Sequence, residues 1–438
     1  MTATQAAQLA ALVGGGGGLA AIQKQGVPLP PEPALNLNAP YFNAVDNPGL
    51  STDVTIADAT TVQDGLMSAA DKAFVNNLLG VGGNNRSQLS GTMTAITPGI
   101  ALTWKIRIWL PPDITQFRLR LSSRDMLGGT GGTGAVNGVN VAVGTSNGVL
   151  PQYSITGAPQ VFLNQNIPVA STELILPFIT LVQVPRGVDG CIVILVGVPN
   201  QQYEFETAIG WGFRSDGTTQ VNPDPGGFAA ASNIGPTIAV EYVAPAGRKR
   251  LLVFGDSISR GNGNPPGTPP GYDKSFTYLM GPDHGVVAAL LGANNLTLAK
   301  LAQAATDPNA WDQTNFRGAT FANEAGINDL TSLTFVQYQE TYGTLINNAR
   351  ANGAAKVILF TITPSTTFIA NDALRVQVNG WLRTLPYNID GLVDADTLLN
   401  NAGAGHPEQL NPIYDCGDGT HWNAAAHSVI EGVLFPLI

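Results

Sequence analysis

The stretch RLLVFGDSISRG, residues Arg250–Gly261, joins a short apolar run to a serine and decides the fold around it. The apolar run has no polar face and is too short for a helix, which predicts a buried strand. Gly255 permits a tight turn after this strand, and Asp256 or Ser257 can cap a helix that follows. Open α/β folds place their sites at the carboxyl ends of the strands, where this serine lies. Ser257 is therefore a candidate nucleophile, and a capped turn is the alternative interpretation.

From Lys249 onward the sequence alternates between strand patterns and helix patterns. Strands are predicted in RLLVFG, NLTLAKLA, ATFANEA, KVILFTIT and GLVDADTLL, and helices in SFTYLMGPDHGVVAALLG, SLTFVQYQETYGTLINNARANG, DALRVQVNGWLRTL and AAAHSVIEGVLF. Such alternation indicates βαβ units and a parallel sheet that is covered on both faces. We therefore expect residues 248–438 to form an α/β domain with a five-stranded, flavodoxin-like sheet.

Residues 86–247 carry short β-rich runs between turns that are rich in Gly and Pro. The runs are ALTWKIRIWL, QFRLRLSS, GVNVAVG, STELILPFITLVQV, CIVILVGV, YEFETAIGWGF and TIAVEYV. This succession predicts an antiparallel β-sandwich, similar to a jelly roll. Four aromatic residues either form a sugar-binding face, which would make the segment a carbohydrate-binding module, or occupy core and edge positions: Trp109, Tyr203, Trp211 and Phe213.

Residues 1–85 are low in complexity and rich in Gly, Pro, Ala and Asn. The segment VPLPPEPALNLNAP, Val27–Pro40, predicts an extended spacer without a core of its own. Ser68 and Asp71 match the N-cap pair of a short helix that Gly80 ends. The chain is thus predicted to be multidomain, with an extended N-terminal attachment region, a β-sandwich and an α/β domain.

Composition excludes several classes of protein. The chain has 438 residues and a formal net charge of -10 without a Lys/Arg cluster, so we expect no nucleic-acid partner. Its apolar runs are shorter than a membrane span, and its N-terminus lacks the basic segment of a signal peptide. Two cysteines, Cys191 and Cys416, are too few for a disulfide scaffold or a cysteine-based zinc site, and their redox state is left open.

A serine nucleophile requires a base, a group that orients the base, and donors for the oxyanion. His421 lies in CGDGTHWNAAAH, and Asp418 precedes it by three residues, a spacing that lets the carboxylate contact the imidazole. Asn328, in the segment Gly326–Asp329 after a predicted strand, would present an amide N–H at the same sheet edge. Each segment alone is also explained by a capping turn.

Other polar residues are weighed against this set. His427 falls within the last helix and His284 in a predicted turn, so both are expected to be structural. Arg260 either binds substrate or begins a solvated helix. Because Asp and His show no clustered spacing, neither a metal nor another cofactor is expected.

Together, Gly255-Asp256-Ser257, Gly326–Asp329 and Asp418–His421 resemble the first, third and fifth blocks of the SGNH (GDSL-type) hydrolase family. The motifs occur in family order, and the resemblance covers roughly residues 248–438. It implies a serine esterase without cofactors, in which Ser257 is the nucleophile, His421 the base and Asp418 its orienting group.

The resemblance also implies an oxyanion hole. Its donors would be the backbone N–H of Ser257 and the side chain of Asn328. The family's second block supplies a third donor from a glycine, but here LAKLAQAATD presents Ala304 or Ala305 where that glycine is expected. Alanine tolerates a positive φ less well than glycine, so the third donor is left unassigned.

The string DGLMSAADK within residues 60–80 resembles a recurring segment of bacteriophage tail-fibre proteins. This resemblance implies a virion protein of the phage tail that acts outside the host cell. Its N-terminal region would bind other tail proteins, the chain would form a homo-oligomer, specifically a trimer, and the substrate would be an acetylated host surface glycan. The alternatives are a non-catalytic receptor-binding tail protein and a free GDSL-type esterase or lipase.

Overall fold

The computed structural model describes residues 101–122, 135–148, 154–168, 173–199, 219–221, 248–262, 274–292, 295–305 and 317–438, and elsewhere only the strands named below. The predicted helix after Ser68, the tail-fibre-like string and most of the predicted spacer lie outside the described residues. The chain divides into two units, Met1–Ala69 and Ala70–Ile438. In the first unit, β1 (Gln23–Lys24) pairs with β2 (Val27–Pro28), and β3 (Phe42–Asn47) with β4 (Ser51–Ile56), both antiparallel.

The first half of the second unit is built of antiparallel strands. They are β5 (Val81–Arg86), β6 (Met93–Ala95), β7 (Leu102–Trp109), β8 (Gln116–Ser122), β9 (Val136–Ser146), β10 (Ile155–Ile167), β11 (Leu174–Ile175), β12 (Ile179–Thr180), β13 (Cys191–Val198), β14 (Glu204–Glu206), β15 (Gly212–Asp216), β16 (Ala229–Ala231) and β17 (Thr237–Val243). One sheet has the order β10-β9-β13-β7-β15-β16, and the other has the order β11-β8-β17-β5 with β12 beside β8. Every predicted β-rich run contains at least one strand.

Buried strands of both sheets contribute to one continuous apolar core. Strand β13 is buried at all 8 positions because it lies between β7 and β9. Trp104 and Ile194 from one sheet belong to the same cluster as Phe117 and Tyr242 from the other. A shared core between two antiparallel sheets is what the predicted sandwich requires, and the jelly-roll arrangement itself stays a prediction.

Two details of this region differ from the prediction. The run STELILPFITLVQV was predicted as one strand, but β11 and β12 are separate because Pro177 lies between them and lacks the N–H of a ladder residue. Strand β10, of 13 residues, was not predicted. It is an edge strand whose pairing with β9 shifts register at several points, so its sequence lacks a regular alternation.

The second half of this unit alternates strands and helices. Its elements are β18 (Arg250–Gly255), α1 (Phe276–His284), β19 (Val287–Gly292), α2 (Leu298–Ala304), β20 (Thr320–Asn323), α3 (Phe335–Ala351), β21 (Lys356–Phe360), α4 (Asp372–Leu382), β22 (Gly391–Val393), α5 (Ala395–Leu399), β23 (Asn400–Asn401), β24 (His406–Leu410) and α6 (Ala424–Leu434). The main sheet is parallel, with the order β19-β18-β20-β21-β22. This order is the flavodoxin-like one, so the predicted α/β sheet is confirmed.

Two elements of this half were predicted wrongly. The run before Gly292 was assigned to a helix, but it is strand β19, with all six positions buried. A strand that is buried on both faces has no alternation and cannot be distinguished from a buried helix by periodicity. NLTLAKLA was assigned to a strand but forms α2, because Thr297 caps its N-terminus by accepting the Lys300 N–H.

Side chains of the β-rich segment pack on the α/β segment. Trp109 is 8% exposed and lies against Gly281 of α1, where a Cβ would meet the indole ring. The Arg248 guanidinium forms an ion pair with Asp113 and donates to the Gly285 carbonyl. Trp109 is therefore a packing residue rather than part of a sugar-binding face. The side chains of the other three candidate aromatics lie outside the described residues.

Among the described residues, no helix has the length and apolar character needed to cross a membrane.

The last helix, α6, carries a histidine in the core. His427 is 0% exposed, and its Nδ1 accepts the Phe276 N–H at 3.4 Å. Burial, and next the charge of His421, lower the pKa of His427 to about 3. The native state therefore keeps this ring neutral under conditions in which the unfolded chain would protonate it.

We expect His427→Asn to weaken the acid sensitivity of folding. The pKa of His427 in the folded state lies below its ordinary value of about 6.5. The stabilising contribution of His427 to the free energy of unfolding is therefore fully present above pH 6.5. It is lost as pH falls toward 3, by about 1 kcal/mol per pH unit. Asparagine retains an acceptor for the Phe276 N–H. The free energy of unfolding, measured from pH 7 to pH 4, should fall less steeply for His427→Asn than for the exposed control His406→Asn. Equal slopes would contradict the assignment.

Candidate active site

Ser257 lies in a turn directly after β18, at the carboxyl end of an interior strand of the parallel sheet. The Asp256 carboxyl accepts the Ile258 N–H at 2.9 Å, and the Ser257 carbonyl accepts the Asn262 N–H at 3.1 Å. Gly255 has no side chain, which leaves room for Ser259 to pack over it. These contacts hold Ser257 at the sheet edge, where the sequence places it.

Two buried carboxyl groups support this turn. Asp256 is 0% exposed and Glu324, which follows β20, is 6% exposed. Glu324 Oε2 accepts the Ser259 hydroxyl at 2.6 Å and the Asp256 N–H at 3.4 Å. Burial, and then the neighbouring Glu324, raise the pKa of Asp256 well above its usual range. Burial raises the pKa of Glu324 as well, so the pair takes up a proton more readily than exposed carboxyl groups do, and Glu324 is the acceptor that fixes the turn.

His421 joins Ser257 to Asp418. Its Nε2 lies 2.8 Å from Ser257 Oγ, and its Nδ1 lies 2.6 Å from Asp418 Oδ2. The other Asp418 oxygen accepts the backbone N–H groups of His421 at 2.8 Å and Thr420 at 2.9 Å. The structure thus brings the three residues into one hydrogen-bonded chain, with Ser257 7% exposed.

Hydrogen bonds stabilise the ionised form of the Asp418 carboxyl group. Burial alone would raise the pKa of Asp418, but the backbone N–H and ring of His421 and the Thr420 N–H outweigh it and lower the pKa to about 2. The carboxylate is therefore ionised throughout the neutral range. An ionised acceptor at Nδ1 keeps the Nδ1–H tautomer of His421, which leaves Nε2 free to take a proton.

Backbone hydrogen bonds fix the loop that carries His421. Asp415 and Trp422 form an antiparallel bridge, and the Cys416 N–H donates to the His421 carbonyl at 3.0 Å. The Gly419 carbonyl accepts the Thr366 N–H at 2.9 Å, which ties the loop to the segment after β21. The loop therefore takes its position from the parallel sheet.

Asn328 lies close to the turn of Ser257 but has other acceptors. Its Nδ2 donates to Asp256 Oδ2 at 3.3 Å and to the Leu296 carbonyl at 3.0 Å. Gly326, before it, has φ 156, and a Cβ there would lie 3.0 Å from the Tyr342 hydroxyl, so glycine suits this close approach. The role of Asn328 as an oxyanion donor stays a prediction.

The next residue of this motif has a structural task. Asp329 is 1% exposed, and its Oδ2 accepts the Leu298 N–H at 2.7 Å, at the start of α2. Burial raises the pKa of Asp329 to about 6. It therefore joins the motif to α2 rather than to the reacting groups.

In the structure, the segment that corresponds to the family's second block lies earlier in the chain than the sequence predicts. Ala304 is the last residue of α2, and the Ala305 N–H donates to the Leu301 carbonyl at 2.9 Å, so Ala305 has no free N–H. Because the second strand is β19, the described residues that follow this strand and precede α2 are 295–297. There Asn295 has φ 57, a left-handed conformation that glycine adopts most easily. The prediction of this donor at Ala304 or Ala305 is wrong because the predicted helix over residues 286–292 is strand β19.

The backbone N–H of Ser257 is the other predicted oxyanion donor, and this role also stays a prediction. In the described part of the chain, the Ser257 backbone N–H donates to no acceptor, although it lies at a largely buried turn. An N–H group in this position is costly unless an oxygen of water or of a ligand accepts it. The arrangement therefore offers a hydroxyl nucleophile, a base and a donor at one point.

The remaining candidates lie apart from the reacting groups. His284 Nε2 lies 3.1 Å from Glu431 Oε1 and its ring stacks on Phe435, so it is structural. The expected solvated helix at Arg260 is wrong. The segment is a turn, Arg260 is 1% exposed, and its Nε and Nη1 have no partner among the described residues. Burial lowers the pKa of Arg260 to about 9.

Sequence reasoning missed two residues beside the reacting groups. Glu324 supports the serine turn, and it lies inside the predicted strand ATFANEA, where a buried carboxyl group was not expected. Cys416 was noted only as a thiol near the loop, but its Sγ lies close to Asp418 and His421.

No family model and no curated protein match the chain. Solved structures resemble it distantly. A lipolytic protein of the G-D-S-L family from Veillonella parvula DSM 2008 is 19% identical, with a TM-score of 0.34 over 43% of this chain and 97% of that one. A family 2 carbohydrate esterase with its carbohydrate-binding domain from Corynascus thermopiles (Myceliophthora fergusii) is 16% identical, with a TM-score of 0.34 over 80% of this chain and 97% of that one. A family two carbohydrate esterase from Clostridium thermocellum, in complex with cellohexaose, is 13% identical, with a TM-score of 0.32 over 79% and 93%. Likeness of this size assigns neither activity nor substrate, which depend on the side chains of the site.

We expect Glu324→Ala to destabilise the protein by about 1–3 kcal/mol, because the Ser259 hydroxyl and the Asp256 N–H lose a buried acceptor. Glu324→Gln retains an acceptor oxygen and should cost less. The free energy of unfolding in urea measures both, with Glu340→Ala on the exposed face of α3 as the control. If Glu324→Ala unfolds at the same urea concentration as this control, Glu324 does not support the turn.

Proposed function

We propose that the chain is a serine carboxylic-ester hydrolase with Ser257 as nucleophile, His421 as base and Asp418 as its orienting group. The observation that carries this proposal is the unbroken hydrogen-bonded chain, 2.8 Å from Ser257 Oγ to His421 Nε2 and 2.6 Å from His421 Nδ1 to Asp418 Oδ2. The same order of hydroxyl, imidazole and carboxylate activates serine in unrelated hydrolases.

The proposed reaction begins with attack of Ser257 Oγ on the ester carbonyl carbon. The Oγ proton moves to His421 Nε2, while the Nδ1 proton stays in its hydrogen bond to Asp418. When the tetrahedral intermediate collapses, the leaving alcohol takes the proton from Nε2, and an acyl-enzyme remains. Water, with the same base, then releases the carboxylic acid and restores the serine.

The oxyanion would be stabilised first by the Ser257 N–H, which has no acceptor in the part of the chain that the structure describes. Asn328 would be the second donor if its longer bond, 3.3 Å to Asp256, were exchanged for one to the oxyanion. Protonation of Asp256 favours this exchange, because a neutral carboxyl group is a weaker acceptor than a carboxylate. Asn295 marks the loop from which a third donor would come.

For the substrate and biological setting, we propose O-acetyl groups on a host cell-surface polysaccharide and a place in a phage tail. The tail-fibre-like string in residues 60–80 and the Pro-rich spacer before it support this setting. In it, the N-terminal region would bind other tail proteins, the chain would act as a trimer in the virion, and the β-rich segment would hold glycan near Ser257.

Two other functions compete with this proposal. A receptor-binding tail protein without catalysis would have no use for the aligned side chains of Ser257, His421 and Asp418, which favours an enzyme. A free GDSL-type esterase or lipase would use the same site on a lipid-like acyl chain, and the N-terminal composition speaks against it. The acyl group that is removed fastest distinguishes the proposed O-acetylesterase from a free esterase or lipase.

We expect the full chain to release acetate from an O-acetylated polysaccharide and to cleave a chromogenic acetyl ester. Ser257→Ala should lower turnover of both by about 10⁶-fold, because no other group can form the acyl-enzyme. The unfolding midpoint of the variant serves as a control for folding.

Three outcomes decide between the functions. Unchanged turnover by a folded Ser257→Ala variant would eliminate Ser257 as the nucleophile and with it the proposed mechanism. Absence of turnover by the wild-type chain would favour the receptor-binding protein. Faster cleavage of long-chain esters than of acetyl esters would favour the lipase.

A further inference from the structure

Three side chains of different chemistry converge on the loop that carries the base. Cys416 Sγ, a carboxylate oxygen of Asp418 and a ring nitrogen of His421 all lie within 4.8 Å of one another. The sequence spacing Cys-x-Asp-x-x-His does not resemble a common zinc motif, so the cluster becomes visible only in the folded loop.

Backbone contacts within the loop hold these donors close together. The Cys416 N–H donates to the His421 carbonyl at 3.0 Å, which closes the segment between them. Gly417 and Gly419 have φ 105 and 75, conformations that let the short chain turn back on itself. Binding an ion would therefore require side-chain rotation rather than folding of the loop.

The cluster is open to solvent. The side chain of Asp418 is 47% exposed, that of His421 is 23% exposed, and Cys416 is half-buried. An ion from solution can reach the three donors, and a fourth position can be taken by water.

The donor set selects among metals. Thiolate and imidazole favour zinc, whereas magnesium and calcium prefer sites made only of oxygen ligands. We propose that Cys416, Asp418 and His421 form a zinc site whose occupation switches the hydrolase off. The binding of zinc stands on this geometry alone, and the inhibition rests on the function proposed above.

The inhibition follows from the two nitrogens of His421. Zinc at Nδ1 replaces the proton that is shared with Asp418. The neutral imidazole then carries its proton on Nε2, which faces Ser257 Oγ at 2.8 Å as a donor and cannot accept the serine proton. A single ion therefore removes the orienting carboxylate and the base together.

The experiment uses the full-length chain and zinc chloride, with Cys191→Ser as the matched control. Cys191 is the other cysteine of the chain, and it is buried at the start of β13. Calorimetry should give one zinc ion per chain for the wild type and for Cys191→Ser. Cys416→Ser should bind zinc more than about 100-fold more weakly, because the loss of a ligand exceeds the loss of a supporting contact.

Hydrolysis of the chromogenic acetyl ester, relative to each variant's own rate without zinc, is the second readout. Zinc should stop the wild type and Cys191→Ser at concentrations that leave Cys416→Ser active. Equal zinc affinity of the wild type and Cys416→Ser would overturn the site. Zinc binding through Cys416 without loss of hydrolysis would overturn the switch.

A measurement without variants covers the case in which Cys416→Ser does not fold. Cobalt(II) bound by a thiolate gives a sulfur-to-metal charge-transfer band in the near ultraviolet, and the wild type should show it. Absence of the band would overturn the site. A wild-type chain that shows the band but hydrolyses no ester would support the metal site and reject the esterase, so the two failures are distinguishable.

Discussion

The parallel pairing of β18 with β19 on one side and β20 on the other is the interaction on which the site depends. This register sets Phe254 beside Asn323, and the Glu324 N–H extends the pairing by donating to the Phe254 carbonyl at 2.9 Å. This pairing places the Glu324 carboxyl group against the turn that begins at Gly255. Because both neighbours of β18 are buried strands, the turn of Ser257 is fixed by the core of the sheet and not by the turn alone.

The site places carboxyl groups in two contrasting environments. Asp256 and Glu324 are buried together, and burial raises the pKa of both carboxyl groups, which act as one structural unit around the turn. Asp418 is half-exposed and receives three hydrogen bonds, so it stays ionised beside His421. The environment of each group, rather than its residue type, assigns a neutral hydrogen-bonding role to Asp256 and a charged orienting role to Asp418.

Sequence patterns within short segments predicted those features of the site that lie within a single segment. The end of β18 at Gly255 and the three-residue spacing from Asp418 to His421 are contained in short segments, and both were read correctly from sequence. The contact from His421 to Ser257 joins residues 164 positions apart, and only the order of motifs suggested it.

The failures have a common physical cause. Strand β19 is apolar at every position, so no periodicity revealed its type, and the second-block loop was misplaced with it. The burial of Arg260 and the role of Glu324 depend on packing by distant elements, which no local pattern encodes. Cys416 joins Asp418 and His421 because two glycines with positive φ fold the loop back, a geometry that sequence permits but does not specify.

The central claim is that Ser257 Oγ forms a covalent bond to the acyl group. It is tested most directly by mixing the full-length chain with an acetyl ester, quenching in acid after a few milliseconds, and mapping acetylated peptides by mass spectrometry. The account predicts an acetyl group on Ser257 that appears in the first turnover and disappears once the ester is consumed. Rapid hydrolysis with no acetyl group at Ser257, or with acetylation of a different residue on the reaction time scale, would contradict it.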